Sequence, residues 1–222
     1  MTDKTAAKVA LVTGASRGLG TAMAEQLALR GWEVVAVART VGGLEALDDR
    51  VRQAGLPGAG ALTLAPMDVT VDDAMRHLCR SIHDRWGGLD LWVHAAVHAP
   101  PLAPAGSLDT RDWEKSITTN VRATGQLIVM VEPLLRVRSG RALFFDDPRG
   151  GAPFFGAYGA TKAAQIALAQ SWQAENRRHG PQVLIATPAP MRTATRARFF
   201  PGENRTTLAD PQAEAARILD TL

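Results

Sequence analysis

Two short segments of this chain combine residue types and spacings that chemistry can use. The first, Thr13-Gly14-Ala15-Ser16-Arg17-Gly18-Leu19-Gly20, follows an apolar, β-branched run and leads at once into a helical pattern. In a strand, turn and helix of this kind Gly14 permits the tight turn, Gly18 lets the backbone approach a pyrophosphate, and Gly20 lets helix pack closely on strand. The N–H groups that open the helix would face the negative charge. The segment therefore reads as a dinucleotide-binding turn. The second, Tyr158-Gly159-Ala160-Thr161-Lys162, sets a phenol and an ammonium four residues apart on one face of a predicted helix. A nearby cation favours phenolate, which makes Tyr158, the only tyrosine, a candidate proton donor or acceptor near neutral pH.

The remaining reactive side chains form no such set. His94 and His98 stand four apart, with His77, Cys79 and His83 upstream, but no acidic or cysteine partner completes a ligand spacing, so no metal is expected. Trp86, Trp92, Trp113 and Trp172 read as core or interface residues rather than a stacking platform.

The elements that must position these residues alternate along the chain. Strands are expected at Val9 to Val12, Glu33 to Ala38, Ala61 to Ala65, Leu89 to His94, Ala142 to Phe145 and Val183 to Thr187. Helices are expected at Leu19 to Arg30, Gly43 to Gln53, Val71 to Trp86, Asp112 to Val137 and Ala157 to His179. A last helix begins where Asp210 can cap and Pro211 can occupy the first position. Pro133 should kink the long fourth helix or end its regular part. Gly31 suits a left-handed helix end. The alternation predicts a single Rossmann-type doubly wound α/β domain over residues 1–222, with a parallel sheet of six strands and helices on both faces. Loops after Thr13, Arg39, Asp68, His94, Asp146 and Thr187 then converge at the carboxyl ends of the strands, with the proline-rich stretch Ala99 to Ser107 lying over them.

The 222 residues, 46% hydrophobic and 21% charged, suit a soluble globular chain, and a net charge of +3 with scattered arginines argues against nucleic acid as a partner. One cysteine excludes an internal disulfide. Met1 to Lys8 is short and polar without the apolar stretch of a signal peptide, and no run approaches the ~18 apolar residues of a membrane span. The expectation is a cytoplasmic protein that does not engage membrane.

Together, the patterns TGxxxGxG at Thr13 to Gly20 and YxxxK at Tyr158 to Lys162 resemble the short-chain dehydrogenase/reductase family, from about Lys8 to Phe200. The segment Met191 to Arg196 is similar to the one that follows the family's sixth strand. The overall likeness is greatest to a bacterial subgroup of uncharacterised oxidoreductases. The resemblance implies hydride transfer between a nicotinamide cofactor and a small carbonyl or alcohol substrate, in a homodimer. It implies cofactor contacts from Thr13, Gly14, Ser16, Arg17, Gly18, Leu19 and Gly20, adenine contacts from Asp68 and Val69, and further contacts from His94, Ala95, Ala96, Pro188 and Thr193. Tyr158 would be the acid/base, Lys162 would hold the nicotinamide ribose, and Asn120 would brace the lysine through water. Arg39 after the second strand and Arg17 in the turn favour the 2′-phosphate of NADP(H) over NAD(H), since a guanidinium fits a phosphate and no acidic residue stands beside Arg39.

Four departures bear on the reaction. The family's Asn-Asn-Ala-Gly is His94-Ala95-Ala96-Val97 here, and Val97 should reshape its loop if that position needs glycine. Pro-Gly becomes Pro188-Ala189. The family's last strand has no counterpart after the helix at Pro211. The serine that donates to the substrate carbonyl falls on Phe145 without a gap, or on Asp147 if the loop is two residues shorter. Asp147 is the candidate: either one protonated carboxyl of Asp146-Asp147 supplies the missing donor, or both side chains point to water as a turn beside Pro148. The alternative is a dinucleotide-binding pseudoenzyme without turnover.

Overall fold

A computed structural model describes residues 7–222. The expectation for the polar N-terminal segment falls mostly on residues 1–6, outside the described part.

Six strands alternate with helices as the sequence pattern predicts: β1 Val9–Thr13, β2 Glu33–Ala38, β3 Leu62–Pro66, β4 Leu91–His94, β5 Arg141–Phe145 and β6 Gln182–Ala186. They pair in the order β3-β2-β1-β4-β5-β6, every pair parallel. Side chains alternate across the sheet: Val9 and Leu11 enter one core, Ala10 and Val12 the other. Both faces are covered, which is why β1 reads as a continuous apolar run and not as an alternating one. Helices α1 (Gly18–Leu29), α2 (Val41–Ala54) and α8 (Pro211–Leu219) close one face. The other is closed by α3 (Asp72–Trp86), α5 (Ala123–Val137) and α6 (Gly156–Glu175), with Trp92 and Trp172 in its centre. The chain is a doubly wound α/β fold. Its order reverses between β1 and β4, where Thr13 pairs with both Val37 and His94, so the crevice of the sheet opens above these strand ends.

Several boundaries differ from the sequence reading for local reasons. The expected helix Asp112 to Val137 is α4 (Thr110–Ser116), a π-helical stretch Ile117–Arg122, and α5, the extra residue of the wider turn falling around Asn120. Pro133 does not end the helix, which runs on to Val137. The carbonyl it leaves unpaired belongs to Val129, 70% exposed and able to bond water. Helix α6 stops at Glu175, short of His179, with the Asn176 amide donating to the Trp172 carbonyl. Asp210 and Pro211 open α8 as expected, but the Asp210 carboxylate makes no cap and lies 3.7 Å from Arg192. A six-residue helix, α7 (Ala194–Phe199), occupies what the sequence suggested was loop. Thr193 caps it, accepting from the Arg196 N–H.

Candidate active site

A cleft of about 510 Å³ lies over the carboxyl ends of the strands, a volume typical of small-molecule sites. Its floor is the turn between β1 and α1. Gly14 has φ +82°, and a Cβ there would sit 2.6 Å from the Ala96 backbone nitrogen, so β4's exit can cross the turn only against glycine. A Cβ on Gly20 would meet the Gly14 carbonyl oxygen at 2.2 Å, which is the close packing of helix on turn that the spacing predicts. No side chain caps α1 and no acid occupies its first turn, so its opening N–H groups are free beside Gly18, Leu19 and Gly20 on the cleft wall. A pyrophosphate fits these donors.

At one end of the cleft stand Ser16, Arg17, Arg39, Asp68 and Val69. Arg17 is exposed, and among the described residues it has no ion-pair partner. The Arg39 guanidinium lies 3.8 Å from Asp68 and is half exposed. Asp68 turns its other oxygen to the N–H and hydroxyl of Thr70, fixing the loop after β3. Ala95, Ala96, Pro188 and Thr193 line the middle. Val97 lies there too, without a left-handed backbone, the conformation that would have favoured glycine. The Pro188-Ala189 turn is held from behind by buried Glu214 of α8, which accepts from the Ala189 N–H at 2.9 Å and pairs with Arg217. Sequence reading missed Glu214, whose only signal is an acid on the apolar face of the last helix.

At the other end lie both positions offered for the absent serine, and Asp147 is the one that meets the Tyr158 hydroxyl. Phe145 packs in the core at the end of β5 and also borders the cleft, while Asp147 Oδ2 accepts from the Tyr158 hydroxyl at 3.1 Å. Arg149, which the sequence reading did not single out, donates Nε to Asp147 Oδ1 at 3.0 Å. Asp147 is thus held between the Tyr158 hydroxyl and the Arg149 guanidinium. Tyr158 is 5% exposed against Phe155 and Phe199. Burial first, and the Asp147 carboxylate second, push its phenol far above the ordinary range and hold it protonated. Lys162 is buried one helical turn on, and desolvation lowers its ammonium to about 8 against the pull of Asp146 and Asp147.

Two expected site residues do not reach the cleft. Thr13 is fully buried, and its hydroxyl meets His94 Nδ1 at 2.8 Å. Asn120 spends both amide hydrogens on the His98 carbonyl and Thr161, while its oxygen accepts from the His98 N–H. It ties the loop after β4 to α6 and does not touch Lys162. His94 borders the cleft, but its ring is 1% exposed and turned inward between Thr13 and Thr124. Among the described residues no three potential ligands gather for a metal, and no helix is long and apolar enough to cross a membrane.

Known proteins resemble this chain in sequence and in fold. The family model for short chain dehydrogenase matches residues 8–204. An uncharacterized oxidoreductase of Staphylococcus epidermidis is 30% identical over 82% of this chain and 76% of its own length. An NADP-dependent 3-hydroxy acid dehydrogenase of Salmonella typhimurium is 32% identical over 70% of this chain, which spans 61% of that relative. Among solved structures, the alcohol dehydrogenase of Thermococcus sibiricus complexed with 5-hydroxy-NADP superposes with a TM-score of 0.82 at 25% identity, covering 97% of this chain and 91% of that one. With a parallel six-stranded sheet, a glycine turn under an uncapped helix, and a tyrosine and lysine on one helix wall, the chain belongs to the short-chain dehydrogenase family of oxidoreductases.

Proposed function

We propose that this chain is an NADP(H)-dependent oxidoreductase acting on a small carbonyl or alcohol substrate. The observation that carries the reading is that one cleft joins the uncapped α1 N-terminus and Arg17 and Arg39 at one end to Tyr158 and Lys162 at the other. The NADP named for the Salmonella and Thermococcus relatives supports the cofactor. The bound nicotinamide would supply or accept the hydride. The free N–H groups of α1 and the glycine turn would hold the pyrophosphate, Arg17 and Arg39 the 2′-phosphate, and Asp68-Val69 the adenine. Lys162 would hold the nicotinamide ribose, with Ala95, Ala96, Pro188 and Thr193 along its path.

Tyr158 is the proton carrier in this reading. Its phenol keeps the proton at Oη, which suits donation to a substrate carbonyl oxygen in the reductive direction. To do so the hydroxyl must turn from Asp147 toward the substrate. Asp147 offers an acceptor where the family resemblance implies a donor, and a carboxylate there disfavours a developing oxyanion. That observation favours the second reading, a dinucleotide binder without turnover. The proposal includes a cytoplasmic homodimer, the assembly being checked by sedimentation.

Consumption of NADPH with a panel of aldehydes and ketones tests the reading. The wild type should turn over at least one. Tyr158→Phe should lose turnover with NADPH affinity kept, and Lys162→Ala should weaken binding. NADPH binding without turnover on any carbonyl would leave the binder, and no binding of either cofactor would overturn both.

A further inference from the structure

Behind the cleft runs a chain of buried polar side chains that the proposed reaction does not use. Lys162 Nζ donates to Gln165 Oε1 at 2.7 Å, one turn along α6. Gln165 Nε2 donates to Thr124 Oγ1 on α5 at 3.0 Å. Thr124 in turn donates its single hydroxyl hydrogen to the Asn120 carbonyl at 2.8 Å. With that hydrogen spent, the 3.0 Å contact between Thr124 Oγ1 and His94 Nε2 requires the imidazole to be the donor. His94 Nδ1 is then an acceptor, and Thr13 Oγ1, 2.8 Å away, donates to it. Burial and Lys162 press the His94 pKa down to about 3, so the ring is neutral and carries its one hydrogen on Nε2. Gln165, Thr124, His94 and Thr13 are each no more than 1% exposed.

We infer that Gln165 is a residue that positions Lys162 in this chain, held in place through Thr124 by His94. Asn120 makes no direct contact with Lys162: its side chain binds His98 and Thr161, and its backbone carbonyl accepts from Thr124. The substitution of His94 for the family's asparagine thereby acquires a partner. The ring reaches Thr124, and the glutamine beyond it supplies an oxygen to the buried ammonium.

The inference rests on the proposed function only for what Lys162 does; what holds it is testable without cofactor. Competitive acylation across pH, read by mass spectrometry on the peptide carrying Lys162, gives the pH at which that amine is half reactive. The charged or titratable groups facing it are Asp146 and Asp147 from the loop after β5, Tyr158 on its own helix and His94 from β4; the π-helical stretch and the turn after β6 present none. Gln165→Met removes the acceptor at similar length and should shift half-reactivity down by about one unit. Gln165→Glu places a carboxylate there and should shift it up by at least as much. A general loosening of the site would move both variants the same way, toward the ordinary lysine value. Shifts of opposite sign support the inference; a common direction, or no shift, overturns it. If Gln165→Met fails to fold, Gln165→Leu takes its place, a downward shift supporting the inference and an upward or absent shift overturning it. An NADPH titration of the same samples separates failure of the cofactor reading from failure of this one.

Discussion

Replacing Arg39 with aspartate gives the sharpest test of cofactor choice. In the structure its guanidinium stands 3.8 Å from the Asp68 carboxylate with half its side chain exposed, so the existing pair is worth less than about 1 kcal/mol. A bidentate guanidinium and phosphate pair is worth roughly 1.5–3 kcal/mol. Exchanging one for the other leaves a net gain of about 1–2 kcal/mol, a preference of roughly 5- to 30-fold for NADPH from Arg39 alone. Exposed Arg17 adds to it. Aspartate at the same position removes this gain and adds repulsion of about 1 kcal/mol in a water-like dielectric. NADPH affinity should therefore fall by roughly 30- to 150-fold, while NADH affinity holds or improves through the ribose hydroxyls. Calorimetric titration with both cofactors at two salt concentrations reads the effect, and the preference should shrink at high salt because the charges are exposed. Equal wild-type affinities, or an Arg39→Asp protein that keeps the preference, would refute the assignment.

Three other outcomes are expected. Asp147→Ser restores a donor beside Tyr158 and should raise carbonyl reduction at neutral pH by about 10-fold or more, measured as initial rates on the best substrate; an unchanged or lower rate contradicts the role given to Asp147. Because the folded-state pKa of Tyr158 is raised, stability is intact below the unfolded value near 10 and falls above it by about 1.4 kcal/mol per pH unit. With a single tyrosine in the chain, tyrosinate absorbance should appear only as the near-ultraviolet dichroism of the tryptophans is lost, and a midpoint near pH 10 in the folded protein would contradict the burial argument. Gly20→Ala forces a Cβ against the Gly14 carbonyl oxygen and should cost about 3 kcal/mol in denaturant titration, whereas a loss under about 0.5 kcal/mol would show that helix and turn can separate cheaply.

The alternating strands, the glycine turn and the Tyr158 to Lys162 spacing were legible in the sequence because each is local. Apolar period, a turn that only glycine permits, and the four-residue face of a helix are properties of neighbouring residues, and they suffice to specify the doubly wound sheet and the convergence of its loops. The short helix α7 escaped because six residues carry too little periodicity. The π-helical stretch escaped because its propensities do not differ from those of an α-helix. Partner choice was beyond the sequence altogether. Whether Phe145 or Asp147 would face Tyr158 depended on where β5 ends and how Arg149 draws the carboxylate. Asn120 could serve Lys162 or the loop at His98, and Gln165 looked like any polar residue on a long helix. Gln165 and Thr124 lie 41 residues apart, and Thr13 and His94 lie 81 apart. Only packing of α5, α6 and β4 removes their water and obliges each donor to find an acceptor, and that demand, absent from any local stretch of chain, decides which residues stand behind the lysine.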